Sequence, residues 1–397
     1  MNVILFETLR QHKTFLPLTF TRPLADIRWG ILTFRQKWEK HLHQPVSVLT
    51  VSHLQKIHAP RFDSVNTFVN AALQPTFLLI DMLEKLPNGS VLKQGDQILA
   101  FTTDERNLSP ENIESFASSL KPIEFASKAN ILIHRWDIFS QNATAIQADF
   151  DLITLGRKSA ALSKTNTLIG SEEKIFIEEG AVAEASVFNT KTGCIYIGKD
   201  AEVMEGCMVR GPLALGEHAV LKMSAKIYGA TTIGPHCKVG GEVNNSVFFA
   251  FSNKAHDGFI GNSVVGAWCN LGADTNNSNL KNNYAEVDMW CYAQENNIKT
   301  GLQFCGLIMG DHSKSGINTM FNTGTTVGVC ANIFGADFPP KFIPSFSWGG
   351  AQWLRTFTFE KSLEAIQRMM ERRNLSLADN EKEVLRYIFD YDAKWRK

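Results

Sequence analysis

At 397 residues the chain has room for two or three domains. Its 40 basic and 40 acidic side chains balance, which argues against a nucleic-acid or anionic-membrane protein but leaves a nucleotide ligand open. No run of about 18 apolar residues marks a membrane span, and Glu7, Arg10, His12 and Lys13 interrupt any signal-peptide core.

The seven cysteines are scattered singly between Cys194 and Cys330, with no CxxC pair. Reduced thiols in a cytoplasmic protein fit that usage better than a disulfide framework. In chain order, residues 3–6 read as a buried strand. Residues 30–42 carry Ile31, Phe34, Trp38 and Leu42 at helical spacing. Residues 46–51, 77–80 and 131–133 read as further strands. Strands alternating with helices predict an α/β domain with a mostly parallel sheet, taken here as residues 1–168.

The loop leaving the first strand of such a sheet is a common place to hold phosphate. Arg10, Lys13 and Arg22 supply positive charge there and are the candidate nucleotide-binding residues. The segment Pro17-Leu18-Thr19-Phe20-Thr21-Arg22-Pro23 resembles the PLTxxRP segment of sugar-1-phosphate nucleotidyltransferases. That resemblance implies a nucleotidyltransferase-like domain using Mg2+ if active. The chain departs from the pattern twice. Residues 7–13 contain no glycine, although only glycine lets a backbone approach a pyrophosphate closely. Leu24 stands where the family has lysine. Asp81 and Asp104 are the acidic residues available for a metal, and no ligand set can be named from them.

From Ile177 the texture changes. Ile177, Ala183, Asn189 and Ile195 step by six, and after a two-residue shift Ile197, Val203, Val209, Leu215, Leu221, Ile227, Ile233 and Val239 do the same. Met309, Ser315, Phe321, Val327 and Ile333 resume the step. Period six is the hexapeptide signature of a parallel β-helix, three hexads to a triangular coil, and it predicts eight or nine coils over residues 169–340. The register fails at residues 244–257 and again between Leu280 and Phe304, which predicts loops leaving the prism. Residues 341–397 read as an aromatic–glycine linker followed by two helices.

Residues 252–281, SNKAHDGFIGNSVVGAWCNLGADTNNSNLK, fill the repeat with polar side chains. Lys254-Ala255-His256-x-x-Phe259-Ile260-Gly261, Asn270-Leu271-Gly272-Ala273 and Ser278-Asn279-Leu280-Lys281 resemble the acetyltransferase half of the bifunctional N-acetylglucosamine-1-phosphate uridyltransferase/glucosamine-1-phosphate N-acetyltransferase family. The resemblance covers most of residues 195–333, and the domain order agrees. It implies a left-handed β-helix, acetyl-CoA as co-substrate, amino-sugar phosphate and nucleotide ligands, and a cytoplasmic homotrimer in UDP-N-acetylglucosamine biosynthesis.

Carried over by position, His256 would be the general base that takes a proton from the attacking amine. Histidine suits that task because its ordinary pKa, about 6.5, leaves it mostly neutral at cell pH yet able to accept a proton. Asn270 would bind the amino sugar, Ala273 would offer backbone donors to the acetyl oxygen, and Asn279 would bind substrate or pantetheine. Lys254 and Lys281 would contact phosphate or coenzyme A. Arg210 would clamp the sugar phosphate, since a guanidinium matches phosphate bidentately. Phe259 and Leu280 replace family tyrosines, and Asn244 stands where a phosphate-binding lysine is expected, so the acceptor is held differently or is another sugar. Asn276, Asn277, Asn282 and Asn283 are assigned to prism corners, where asparagine suits left-handed backbone, and His312 likewise.

Three alternatives stay open. The protein is an acyltransferase whose front domain binds nucleotide without turnover, or a non-enzymatic sugar-nucleotide-binding trimer. A prism with interfacial zinc needs three histidines, two close in sequence. His218, His236, His256 and His312 are widely spaced.

Overall fold

The structure, a computed structural model, describes residues 1–396. Its contacts divide the chain into two units: Met1–Ile27 with Leu32–Arg135 and Asp379–Val384, and Arg28–Ile31 with Trp136–Ala378 and the chain from Leu385 on.

In the first unit, β1 (Asn2–Phe6) is followed directly by α1 (Leu9–Phe15). Thr8 caps α1 and shares a capping box with Gln11, so the chain turns into a helix where a glycine-rich loop is absent. Thr33 and Gln36 repeat that device at α2 (Phe34–Leu42). The next strands are β2 (Ser47–Leu49) and β3 (Asn66–Asn70), both parallel to β1. After α3 (Phe77–Glu84), β4 (Ser90–Gln94) and β5 (Gln97–Thr103) form a hairpin, and β5 runs antiparallel to β3. Beyond α4 (Ile113–Ser119), β6 (Lys121–Glu124) pairs parallel with β4. The order is β2-β1-β3-β5-β4-β6.

The sheet is therefore mixed rather than mostly parallel. The two-residue Gly95-Asp96 turn, with Gly95 at φ 57°, reverses the chain tightly. Phe68 and Phe101 stack across β3 and β5 with centroids 4.9 Å apart and anchor the core.

Two expected strands are corrected. Residues 77–80 lie in α3, because Thr76 caps the Leu79 N–H at 3.2 Å; Phe77 is 75% exposed, so its run is not a buried strand. Residues 131–133 make only an isolated bridge, Leu73 to Ile131.

The second unit is the prism. Its first face carries six parallel strands, from Thr167–Ile169 to Phe259–Gly261. Nine parallel strands, from Ile175–Ile177 to Phe342–Ile343, make the second face and count nine coils. A third face of ten strands ends in the antiparallel pair Ser347–Gly349 and Leu354–Thr356. That pair replaces the expected aromatic–glycine linker: the segment closes the face.

Ile197, Val203, Val209, Leu215, Leu221, Ile227, Ile233 and Val239 all point inward, each 3% exposed or less. In the second coil Phe188, not Asn189, fills the core. Residues 244–257 do not leave the prism. They contribute strands to all three faces, and the register shifts because corners shorten: Val243 to Phe248 is a five-residue step. The break between Leu280 and Phe304 does leave it, as the antiparallel hairpin Asp288–Cys291 and Asn296–Lys299.

The corner between the second and third faces is aromatic. His218, His236, Phe251, Trp268 and His312 all hold φ between 54° and 61°. Their rings stack successively; Phe251 and Trp268 lie 4.2 Å apart at 3°. Stacking offsets the cost of left-handed backbone at non-glycine residues. His312 thus has the expected corner position. The asparagine assignment is corrected. Asn276 and Asn277 form a strand, and their side-chain amides bond the backbone of Phe259 and Gly261. Asn282 and Asn283 lie in the turn before the hairpin, where Tyr284 takes the positive φ.

Helices α5 (Asp137–Ser140) and α6 (Asn142–Thr154) belong to the prism unit. Asn142 ties the strap of residues 28–31 to the second face: it accepts from Gly30 N–H at 2.9 Å and donates to Ala230 at 2.9 Å. The tail forms α7 (Phe359–Glu371) and α8 (Asp379–Tyr391). No helix among the described residues is long and apolar enough to cross a membrane. The architecture is thus an N-terminal α/β domain, a parallel β-solenoid of the left-handed β-helix type and C-terminal helices.

Candidate active site

The third-to-first corner sets the site. In the fourth coil the core step from Val239 to Val243 is only four residues, against six from Leu221 to Ile227 in the coil before. The corner that remains is Gly240-Gly241, without side chains. Gly241 sits at φ +69°, and a Cβ there would lie 2.9 Å from the His256 carbonyl and 2.8 Å from that of Gly258. This shortened corner borders a notch of about 530 Å³. Lys222 and Met223 form one wall; His256, Asp257, Ala273 and Asp274 form the other.

His256 and Asp257 are exposed, so the imidazole is available to a ligand. The Ala273 carbonyl accepts from Asn318 N–H at 2.9 Å, whereas the Ala273 N–H has no acceptor among the described residues. An N–H without a partner at a notch wall can donate to an oxygen that gains charge. Behind the wall, Lys254 is 1% exposed and occupies an inward position of the core column. Its Nζ donates to the carbonyls of His256 and Asp257, the latter at 3.0 Å. Burial pushes its pKa down to about 8, while Asp257 and then Asp274 act in the opposite direction.

Among the expected site residues, the structure brings His256 and Ala273 into the notch, with Lys254 beneath. The phosphate or coenzyme A contact expected of Lys254 does not fit its burial and its two carbonyl bonds. Arg210 lies in a different cleft, of about 520 Å³ on the first face, with Lys226, Tyr228 and Glu242. Tyr228 donates to Glu242 at 2.6 Å, and that bond, followed by burial, raises its pKa to about 12. Asn270 is exposed on the third face, between Asn253 and Lys314 in register. Asn279 donates to Asn262 at 2.8 Å. Lys281 bonds the Glu286 carbonyl at 2.6 Å and pairs with Asp288 at 3.2 Å, which fixes the base of the hairpin. Neither Asn270, Asn279 nor Lys281 lines the notch.

Lys222, Asp257 and Asp274 were missed. Their signal was the four-residue step at Gly240-Gly241, which marks the one shortened corner opposite His256. The departures are placed as follows. Phe259 is half-buried on the first face, and its N–H is held by Asn276. Leu280 bridges Phe304. Asn244 bonds through its carbonyl to Ser246 and Asn262.

In the N-terminal unit, Arg10 and Lys13 ride on α1 and Arg22 follows the next turn. The centre of that region is Glu7, fully buried at the carboxyl end of β1. Its carboxylate accepts the Leu24 N–H at 2.8 Å and the Thr50 hydroxyl, and His12 Nδ1 lies 3.1 Å away. Burial, then the neighbouring His12, lowers the His53 pKa to about 4. Glu7 thus places a buried carboxylate at the end of β1, where a phosphate would meet negative charge. Asp81 is ion-paired with Lys85 on the surface of α3, and Asp104 is exposed after β5. No group of three or more His, Cys, Asp or Glu among the described residues could hold a metal ion. The residues present do not form a pre-built magnesium site.

The sequence profile of the family described as sugar nucleotidyl transferase matches residues 3–158. No curated protein matches the chain. Among solved structures, the UDP-N-acetylglucosamine acyltransferase of Arabidopsis is 17% identical over 57% of this chain and 88% of its own, with a TM-score of 0.24. The UDP-N-acetylglucosamine acyltransferase of Campylobacter jejuni is 8% identical over 57% of this chain and 95% of its own, with a TM-score of 0.18. At those scores neither likeness bears on substrate or activity. The N-terminal stretch is similar to sugar nucleotidyl transferases, and the prism must be read from its own residues.

Proposed function

We propose that the prism transfers acetyl from acetyl-CoA to the amine of an amino-sugar phosphate such as glucosamine-1-phosphate. The observation that carries this reading is the notch, which the exposed His256 lines together with Ala273, whose N–H has no acceptor among the described residues. The neutral amine attacks the thioester carbonyl. His256 takes the proton that the amine loses, and Ala273 N–H donates to the carbonyl oxygen as it becomes negative. The C–S bond then breaks; the thiolate leaves and takes a proton to become the free thiol, while the amide remains on the sugar. Lys222 on one wall and Asp257 and Asp274 on the other suit a molecule bearing both a phosphate and an amine. Arg210, in its own cleft, serves the phosphates of the acyl carrier. A homotrimer supplies neighbouring prism walls.

The front unit acts in the same pathway, transferring uridylyl to the sugar phosphate; the family match over residues 3–158 supports that part. A second reading, a front unit that binds nucleotide without turnover, is favoured by Glu7, a buried carboxylate held at the end of β1 by Leu24 N–H and the Thr50 hydroxyl. Incubation with UTP, magnesium and N-acetylglucosamine-1-phosphate separates the two. Pyrophosphate release supports uridylyl transfer, and none supports the second reading. Acetyl transfer is tested by thiol release from acetyl-CoA in the presence of glucosamine-1-phosphate.

A further inference from the structure

Lys254 stands where a hexapeptide prism places an aliphatic side chain. It follows Phe248 and precedes Ile260 in the inward column, and both are fully buried. An ammonium in that column is costly unless bonded, and its bonds all go one way, to the carbonyls of His256 and Asp257. Those carbonyls belong to the corner that passes over Gly240-Gly241. The shortened corner beneath has no side chain with which to support it. The Asp257 carbonyl also accepts the Asp274 N–H at 3.0 Å, so Lys254 joins both residues of the same wall.

We infer that Lys254 is a positioning residue: from inside the prism it fixes the backbone that aims His256 into the notch, rather than contacting phosphate or coenzyme A. This rests on the acetyl-transfer reading of the notch. The arrangement follows from the geometry of a solenoid. Backbone at a regular corner is held by the coils on either side. Where one coil is cut short, the next loses a neighbour, and an internal donor long enough to reach the turn replaces it. A lysine stem packs among the aliphatic rungs while its terminal nitrogen reaches the carbonyls. An exposed histidine on an untethered turn would sample many directions and lose orientation toward an acceptor amine.

The test uses full-length protein, wild type and Lys254→Met, with kinetics and residue-resolved hydrogen exchange. Lys254→Met keeps the apolar stem and removes the donor. The expected result is a fall in kcat of about tenfold or more, with the KM for acetyl-CoA changed less than twofold. Exchange at the Asp274 amide speeds up, while amides of the Ile195–Ile197 and Leu213–Leu215 strands keep their protection. Unchanged exchange at Asp274 overturns the tether. Faster exchange there with unchanged kcat overturns the positioning role. Faster exchange throughout the prism assigns Lys254 to general stability and also overturns it. Should Lys254→Met fail to fold, Lys254→Leu, which also removes the donor and matches the aliphatic residues of the column, is read by the same criteria. A wild-type protein without acetyl transfer sinks the catalytic reading and the positioning role with it. The exchange result still decides whether the tether exists, so the two failures are distinguishable.

Discussion

Replacing Gly241 with alanine tests whether the notch depends on a corner that carries no side chain. Gly241 has φ +69°, and an added Cβ would meet the Gly258 carbonyl at 2.8 Å, Asp257 Cα at 2.9 Å and the His256 carbonyl at 2.9 Å. All three are backbone atoms and cannot swing aside. Left-handed backbone in an L-residue costs about 1–2 kcal/mol, and relieving the contacts requires the 256–258 turn to move by a few tenths of an ångström. For a unit this large, about 1–2 kcal/mol corresponds to a fall in Tm of about 2–8 °C. The same displacement carries the His256 backbone, so kcat for acetyl transfer falls by about tenfold or more while the protein remains folded. Scanning calorimetry and thiol release on the same preparation measure both effects. A variant with wild-type Tm and wild-type kcat would refute the claim that the glycine corner builds the site.

Three further outcomes follow from other parts of the molecule. Asp392 is fully buried, where its carboxylate accepts the Ser345 N–H at 2.7 Å, and burial raises its pKa from 3.8 to about 6. An acid whose folded pKa is raised holds its proton more tightly folded than unfolded, so its contribution to stability declines as pH rises from about 4 to about 6. Asp392→Asn removes that decline in a melting-temperature series across the window. Trp268→Ala takes one ring from the aromatic corner, and the lost stacking and burial cost about 1–3 kcal/mol, read as a lower urea midpoint. Lys222→Met raises the KM for a phosphorylated amine about tenfold but leaves the KM for the same amine without phosphate unchanged; equal effects on both would remove Lys222 from phosphate recognition.

The prism was legible because its interior repeats one demand at every coil. From Ile197 to Val239 every sixth residue is an aliphatic side chain in the core, and the spacing shows in the sequence without further information. Local irregularities were harder to read. A five-residue step and a protruding loop both break the period, and only the three-dimensional register showed that residues 244–257 stay within the coils. Lys254 reads as a phosphate or coenzyme A contact because its charge stands out in the sequence and its place in the column does not. Asn276 and Asn277 resembled corner residues by type, yet their side-chain amides carry the hydrogen bonds that tie their strand to the first face. The aromatic corner was hidden because its members are spaced by coils, with the 281–304 excursion between Trp268 and His312. In the front domain an apolar run was read as a strand where a threonine cap at Thr76 starts a helix.

The candidate site was legible in part for the same reason. His256 and Ala273 are separated by one coil, so the prism stacks them at one wall of the notch. Arg210 has the right chemistry for a phosphate, but it lies on a strand of the first face and opens into another cleft. Lys222 and the two aspartates carry no motif; they enter the site only because the intervening corner is short.

The most direct measurement of the central claim is acetyl transfer from acetyl-CoA to glucosamine-1-phosphate by wild-type protein and by His256→Ala. The account predicts thiol release and N-acetylated product from the wild type, a fall in kcat of about 10²–10⁴-fold in the variant, and undiminished acetyl-CoA binding by calorimetry. Equal turnover in the two proteins would contradict it.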